Sequence, residues 1–109
     1  MTAIKPPKAE PRPTVLVDAE NVRRSIWPNI SRDELVTLAE GWAKENDVDV
    51  RVVFEPRGET ADEWLIREAR HFKPYWLVTS DRELRELTGP EAERVIGAGT
   101  FARELLRRR

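Results

Sequence analysis

The chain has 109 residues, which is room for one domain and hardly a second. With 39% hydrophobic residues and four Trp it can build a single core, and with no Cys it excludes a disulfide framework, a thiolate zinc site and a Cys nucleophile. Nineteen Lys and Arg stand against 20 Asp and Glu, so no global basic field marks a nucleic-acid binder, and a local patch would have to hold such a partner. Fifteen of the 19 basic residues are Arg, suited to bidentate phosphate contact but equally to surface ion-pair networks.

Residues 1–13 contain four Pro and no periodic pattern, and read as a disordered lead-in to a domain over 14–109. They carry no apolar signal-peptide core, and the longest apolar run, Tyr75 to Val78, falls far below the ~20 residues of a bilayer span. The expectation is a soluble cytoplasmic protein with no membrane partner. Thr14-Val15-Leu16-Val17 is a short run of the kind buried in a parallel sheet, ending at Asp18. Ser31-Arg32-Asp33-Glu34 has capping-box form, and Leu35, Leu38, Ala39, Trp42 and Ala43 follow at helical spacing, predicting a helix that ends near Asn46. Val48 to Phe54 suits a second strand, broken by Pro56-Arg57-Gly58. Thr60-Ala61-Asp62-Glu63 caps another helix, running to about His71, with Ala61, Trp64, Leu65, Ala69 and Phe72 on one face. Tyr75 to Val78 is a third strand, and Ser80-Asp81-Arg82-Glu83 caps a short helix that stops at Gly89-Pro90. Val95 and Ile96 form a brief fourth strand, and Gly97-Ala98-Gly99 leads into a last helix with Phe101, Ala102, Leu105 and Leu106 inward. Alternating strands and helices on short connections predict a small α/β protein, a three-layer α/β/α sandwich on a four-stranded, mostly parallel sheet.

No G-x-x-x-x-G-K-[ST] and no G-x-G-x-x-G occurs, so neither Gly-rich nucleotide loop is supported. In an open parallel sheet, ligands bind beyond the carboxyl ends of the strands where the strand order reverses. Strand one ends in Asp18-Ala19-Glu20-Asn21, strand two in Glu55 and strand three in Thr79-Ser80-Asp81. If strands one and three are neighbours, Asp18 and Asp81 face each other, and paired carboxylates without counter-charge want a hard cation with oxygen ligands. Asp62 adds a third carboxylate, because Thr60 and Glu63 look like reciprocal cap partners and leave it free. With the Asn21 amide these acids would half-enclose Mg²⁺ or Mn²⁺. Each also has a structural explanation: Asp18 could cap a short turn through Val22, Asn21 could be a turn residue, and Asp62 and Asp81 could serve their helix dipoles. Glu20, Glu55 and Glu83 are candidate solvated or capping residues. The lone His71 reads as surface, and Trp27, beside Pro28, is a candidate base-stacking surface.

The order V-L-V-D-A-E-N-V, G-E-T-A-D-E, V-T-S-D and G-A-G-T-F-A-R-E-L-L, from about Val15 to Leu106, resembles the NYN domain family, and its YacP-like branch in particular. These are PIN-like ribonucleases. The resemblance implies a PIN-like fold and a Mg²⁺- or Mn²⁺-dependent RNA phosphodiesterase, with the family's acids on Asp18, Asp62 and Asp81 as metal ligands and its Asn on Asn21. Arg23, Arg57 and Arg82, next to the acids in sequence, would clamp phosphate. RNA, single-stranded or structured, is the expected partner, with a homodimer as a further option. The family's D-G-Y-N is here Asp18-Ala19-Glu20-Asn21, and the segment before Gly58 is short for that branch. Two other readings compete. A haloacid-dehalogenase-like phosphatase would share Asp18 and Glu20, but no Lys follows Lys73 and no Asp follows Asp81 to complete it. A catalytically weak or inactive module of the same fold, binding RNA or a protein, would use its acids for capping alone.

Overall fold

The computed structural model describes residues 11–55 and 57–108, so most of the expected lead-in lies outside the described residues. The strands are β1 (Thr14–Asp18), β2 (Asp49–Val53), β3 (Tyr75–Val78) and β4 (Arg94–Ile96). They alternate with helices α1 (Ala19–Arg23), α2 (Arg32–Asn46), α3 (Ala61–Glu68), α4 (Arg82–Thr88) and α5 (Ala98–Leu106).

The local signals in the sequence account for most of these boundaries. Ser31 accepts a hydrogen bond from the Glu34 amide at the start of α2, and Thr60 and Glu63 form a complete capping box on α3. Helix α2 closes at Asp47, which takes the left-handed conformation (φ 57°) that Asp tolerates better than most residues. Two expectations shift. Helix α3 is α-helical only to Glu68 and tightens into a 3₁₀ turn over Ala69–Phe72. The cap of α4 is Asp81, whose Oδ1 accepts from the Leu84 amide, while the Ser80 hydroxyl caps α5 by accepting from the Ala98 amide.

All four strands pair in parallel in the order β2-β1-β3-β4. From β1 the chain moves one way to β2, then returns past β1 to β3, so the strand order reverses between β1 and β3. Side chains alternate across the sheet and build a core on each face. Val15, Val17 and Val78 pack with Val22 of α1, Leu35 and Trp42 of α2, and Phe101 and Leu105 of α5. Leu16, Leu77 and Val53 pack with Ala61 and Leu65 of α3 and Leu84 of α4. Each fully buried Leu or Phe contributes roughly 1.5–3 kcal/mol of transfer free energy. Trp42 meets Phe101 edge-on with ring centroids 5.0 Å apart, tying α2 to α5. The result is the expected three-layer α/β/α sandwich with an all-parallel sheet. No helix among the described residues is long and apolar enough to cross a membrane.

Candidate functional site

The parity of the strands decides which end residues meet. Asp18 shares the sheet face of Leu16, and Thr79 that of Leu77, and both Leu residues pack toward α3 and α4. Asp18 and Thr79 therefore leave the carboxyl ends of adjacent strands on the face where α3 and α4 begin. Asp62 lies in the first turn of α3 and Asp81 is the cap of α4. These elements enclose a cleft of about 220 Å³ lined by Asp18, Glu20, Asn21, Arg24, Glu55, Ala61, Asp62 and Asp81. The structure brings Asp18, Asn21, Asp62 and Asp81 together at the strand-order reversal.

Asp18 is only 8% exposed. It occupies the N-cap position of α1 but makes no side-chain cap bond, because its Oδ2 instead accepts from the Thr79 hydroxyl at 2.8 Å. The same Thr79 oxygen accepts from the Asp81 amide at 3.1 Å, so one fully buried hydroxyl ties the two acidic residues together. Burial pushes the Asp18 carboxyl above its ordinary range; the Thr79 bond opposes this, and the charges of Asp62, Asp81 and Glu20 add to it. No described Lys, Arg or His forms an ion pair with Asp18, Asp62 or Asp81.

The remaining acids and the Asn divide by their partners. Asp81 spends Oδ1 on capping α4, so its helix-terminus role is real, and the residue also lines the cleft. Asp62 takes no part in the capping box of Thr60 and Glu63. Asn21 is not a free amide ligand: its Oδ1 accepts from the Ser80 amide at 2.7 Å and fastens α1 to the end of β3. Glu20 also lines the cleft but is engaged by Arg23 (2.5 Å), Arg32 (3.2 Å) and Arg24 (3.5 Å). Glu55 lines the rim, whereas Glu83, exposed in the first turn of α4, does not line the cleft.

Of the three Arg residues expected to touch phosphate, none lines the cleft. Arg23 is committed to structure, donating from Nε to the Ile30 carbonyl at 2.7 Å and from Nη1 to Glu20. Arg57 is exposed in the turn around Gly58, whose positive φ of 81° a residue with a Cβ would resist. Arg82 projects into solvent beside Glu86. The guanidinium that does line the cleft is Arg24, which the sequence reading passed over. The signal that could have found it is its place four residues beyond Glu20, at the C-cap of α1.

Asp18, Asp62 and Asp81 offer only oxygen donors and carry negative charge that no ion pair among the described residues offsets, which is the chemistry a hard divalent cation suits; the one guanidinium lining the cleft, Arg24, pairs with Glu20. The positions are not closed around an ion: among the described residues no three His, Cys, Asp or Glu form a group that could hold a metal as they stand. No family model, curated protein or solved structure matches the chain.

Proposed function

We propose that the chain is a divalent-metal-dependent ribonuclease that hydrolyses RNA phosphodiester bonds at this cleft in the cytoplasm. The observation that carries the proposal is Asp18: a carboxylate 8% exposed, crowded by Asp62, Asp81 and Glu20, with a single hydroxyl for a partner. The resemblance to the NYN family, carried by the motifs quoted above, points to the same residues. Asp18, Asp62 and Asp81 would hold Mg²⁺ or Mn²⁺, and the bound cation supplies Lewis acidity and neutralises charge on the phosphoryl oxygens.

The chain's own residues prepare that site. Thr79 fixes the Asp18 carboxylate and, through the Asp81 amide, the start of α4. Asn21 keeps α1 against β3, so that Asp18 and Asp81 hold their separation. Asp81 is oriented by its own cap bond. Arg24, on the rim, offers a cation to a phosphate entering beside the acids. Relieving the repulsion at Asp18 favours uptake of positive charge there.

A second reading has its own support: since no three carboxylates stand ready around an ion, and Asn21 and Asp81 already serve the fold, the domain could bind RNA or a protein without cleaving. The test is cleavage of a labelled single-stranded RNA in Mn²⁺ or Mg²⁺, with and without chelator, by the wild type and Asp18→Asn. Chelator-sensitive cleavage lost by about 100-fold or more in the variant supports the nuclease, at 1.36 kcal/mol per factor of ten. Absence of cleavage by the wild type supports the second reading.

A further inference from the structure

Four Trp residues lie in this chain, and three have cover. Trp42 is buried in the α2–α5 core; Trp64 and Trp76 are half-buried beneath the guanidiniums of Arg51 and Arg94, 5.5 and 4.4 Å from the ring centroids. Trp27 is 87% exposed. It stands in the loop 24–29, between α1 and α2. That loop is held at both ends: Arg23 and Ile30 are joined by a backbone bond and by the Arg23 side chain. Ser25 bonds the Val22 carbonyl through both its amide and its hydroxyl. Within the loop Ile26 packs on the core, and Ile30 just beyond it is buried. The indole is thus presented by an anchored backbone.

The charge around the loop is the second observation. Arg23, Arg24 and Arg32 all reach the one carboxylate of Glu20, so three guanidiniums gather at this side of an otherwise acidic cleft. Arg24 and Arg32 keep most of their side-chain surface in solvent, at 68% and 66%. Arg24 lines the cleft, and Trp27 is three residues further on, at most about 11 Å away between Cα atoms. A strand with a phosphate at the acids can place a base a few nucleotides away on the indole. Aromatic stacking beside a guanidinium is the arrangement that grips single-stranded nucleic acid without reading its sequence.

We propose that the loop 24–29 is a single-strand grip, with Trp27 stacking on an unpaired base and Arg24 contacting a flanking phosphate. The inference names the substrate class and so rests on the cleft being an RNA site. Duplex RNA, whose bases are paired and inaccessible, is excluded as the preferred ligand.

The test is fluorescence anisotropy with a labelled oligoadenylate, in the Asp18→Asn background so that binding is read without turnover. Trp27→Ala weakens binding by about 5- to 100-fold, the worth of one stacked base, whereas Trp27→Phe stays within about threefold of the parent. Arg24→Gln lowers the slope of log K against log salt by about 1. The inference is overturned if Trp27→Ala binds as tightly as the parent, if the parent does not bind oligoadenylate, or if Trp27 instead supports a dimer and leaves RNA binding unchanged. Cleavage by the otherwise wild-type chain separates the two claims. Trp27-dependent binding without cleavage removes the hydrolase and keeps the grip. Cleavage with the same KM in Trp27→Ala keeps the hydrolase and removes the grip.

Discussion

Replacing Thr79 by Val deletes one buried hydroxyl while keeping the shape of the side chain, and so isolates the bond that holds Asp18. Thr79 is fully buried, and its one proton goes to Asp18 Oδ2 at 2.8 Å in preference to Asn21 Oδ1 at 3.4 Å. A hydrogen bond to an ionised group contributes about 1.5–3 kcal/mol, and the Asp81 amide, left without its acceptor, costs about 1 kcal/mol more. Thr79→Val should therefore lose about 3 kcal/mol at a pH above the raised Asp18 pKa, where the carboxyl is charged. Once Asp18 is protonated the bond is an ordinary one of about 1 kcal/mol, and the loss shrinks to about 2 kcal/mol. Urea denaturation of both proteins over a pH series measures the difference directly. In an Asp18→Asn background the loss measured above the Asp18 pKa should likewise fall by about 1 kcal/mol. A loss that is independent of pH and unchanged in that background would refute the assignment of Thr79 as the partner that stabilises Asp18 as a carboxylate.

Asp18→Asn should raise stability at neutral pH. The folded-state pKa of Asp18 lies above its ordinary value of 3.8, so the native chain binds the proton more tightly than the unfolded one. This group's contribution is fully present below 3.8 and is lost as pH climbs through the raised native value. The gain from Asp18→Asn, read by thermal unfolding at several pH values, should thus grow with pH; a destabilised variant at pH 7 would contradict it. Thr60→Ala removes one half of the capping box at α3 and should cost about 1 kcal/mol, and by loosening the first turn that carries Asp62 it should also weaken Mn²⁺ binding. Ser80→Ala strips the hydroxyl that accepts from the Ala98 amide and should cost about 1 kcal/mol through α5, without the pH dependence of Thr79→Val. Phe101→Ala, in the core away from the cleft, should cost about 3–5 kcal/mol in urea unfolding and leave the KM for RNA unchanged under conditions where the variant is folded.

The parts of the fold that could be read from the chain are those whose causes are local. Both N-caps declare themselves within four residues, and α2 and α3 begin where Ser31 and Thr60 place them. The apolar runs at Val15 to Val17 and Tyr75 to Val78 read as buried strands because both their faces are covered by helices. The convergence of Asp18, Asp62 and Asp81 was also legible, since it needs only the strand ends, a helix start and the adjacency of β1 and β3.

What could not be read depends on contacts between distant segments. Ser80 sits in a capping sequence for α4, yet its hydroxyl turns to the Ala98 amide, 18 residues away, because β4 brings the start of α5 alongside β3. Arg23 looks available for phosphate until the loop returns the Ile30 carbonyl to its guanidinium. Asn21 appears a free amide until β3 delivers the Ser80 amide to it. In each case a polar side chain was claimed by a backbone group that the sheet had carried into reach.

The most direct test of the account is Mn²⁺ titration by calorimetry into the wild type and Asp62→Asn, a residue with no part in the capping box that can be changed without disturbing it. Saturable binding to the wild type, weakened in Asp62→Asn at undiminished thermal stability, is the predicted result. A wild type that takes up no Mn²⁺, or an Asp62→Asn variant that binds it equally well, would contradict the cleft as a cation site and with it the proposed hydrolysis.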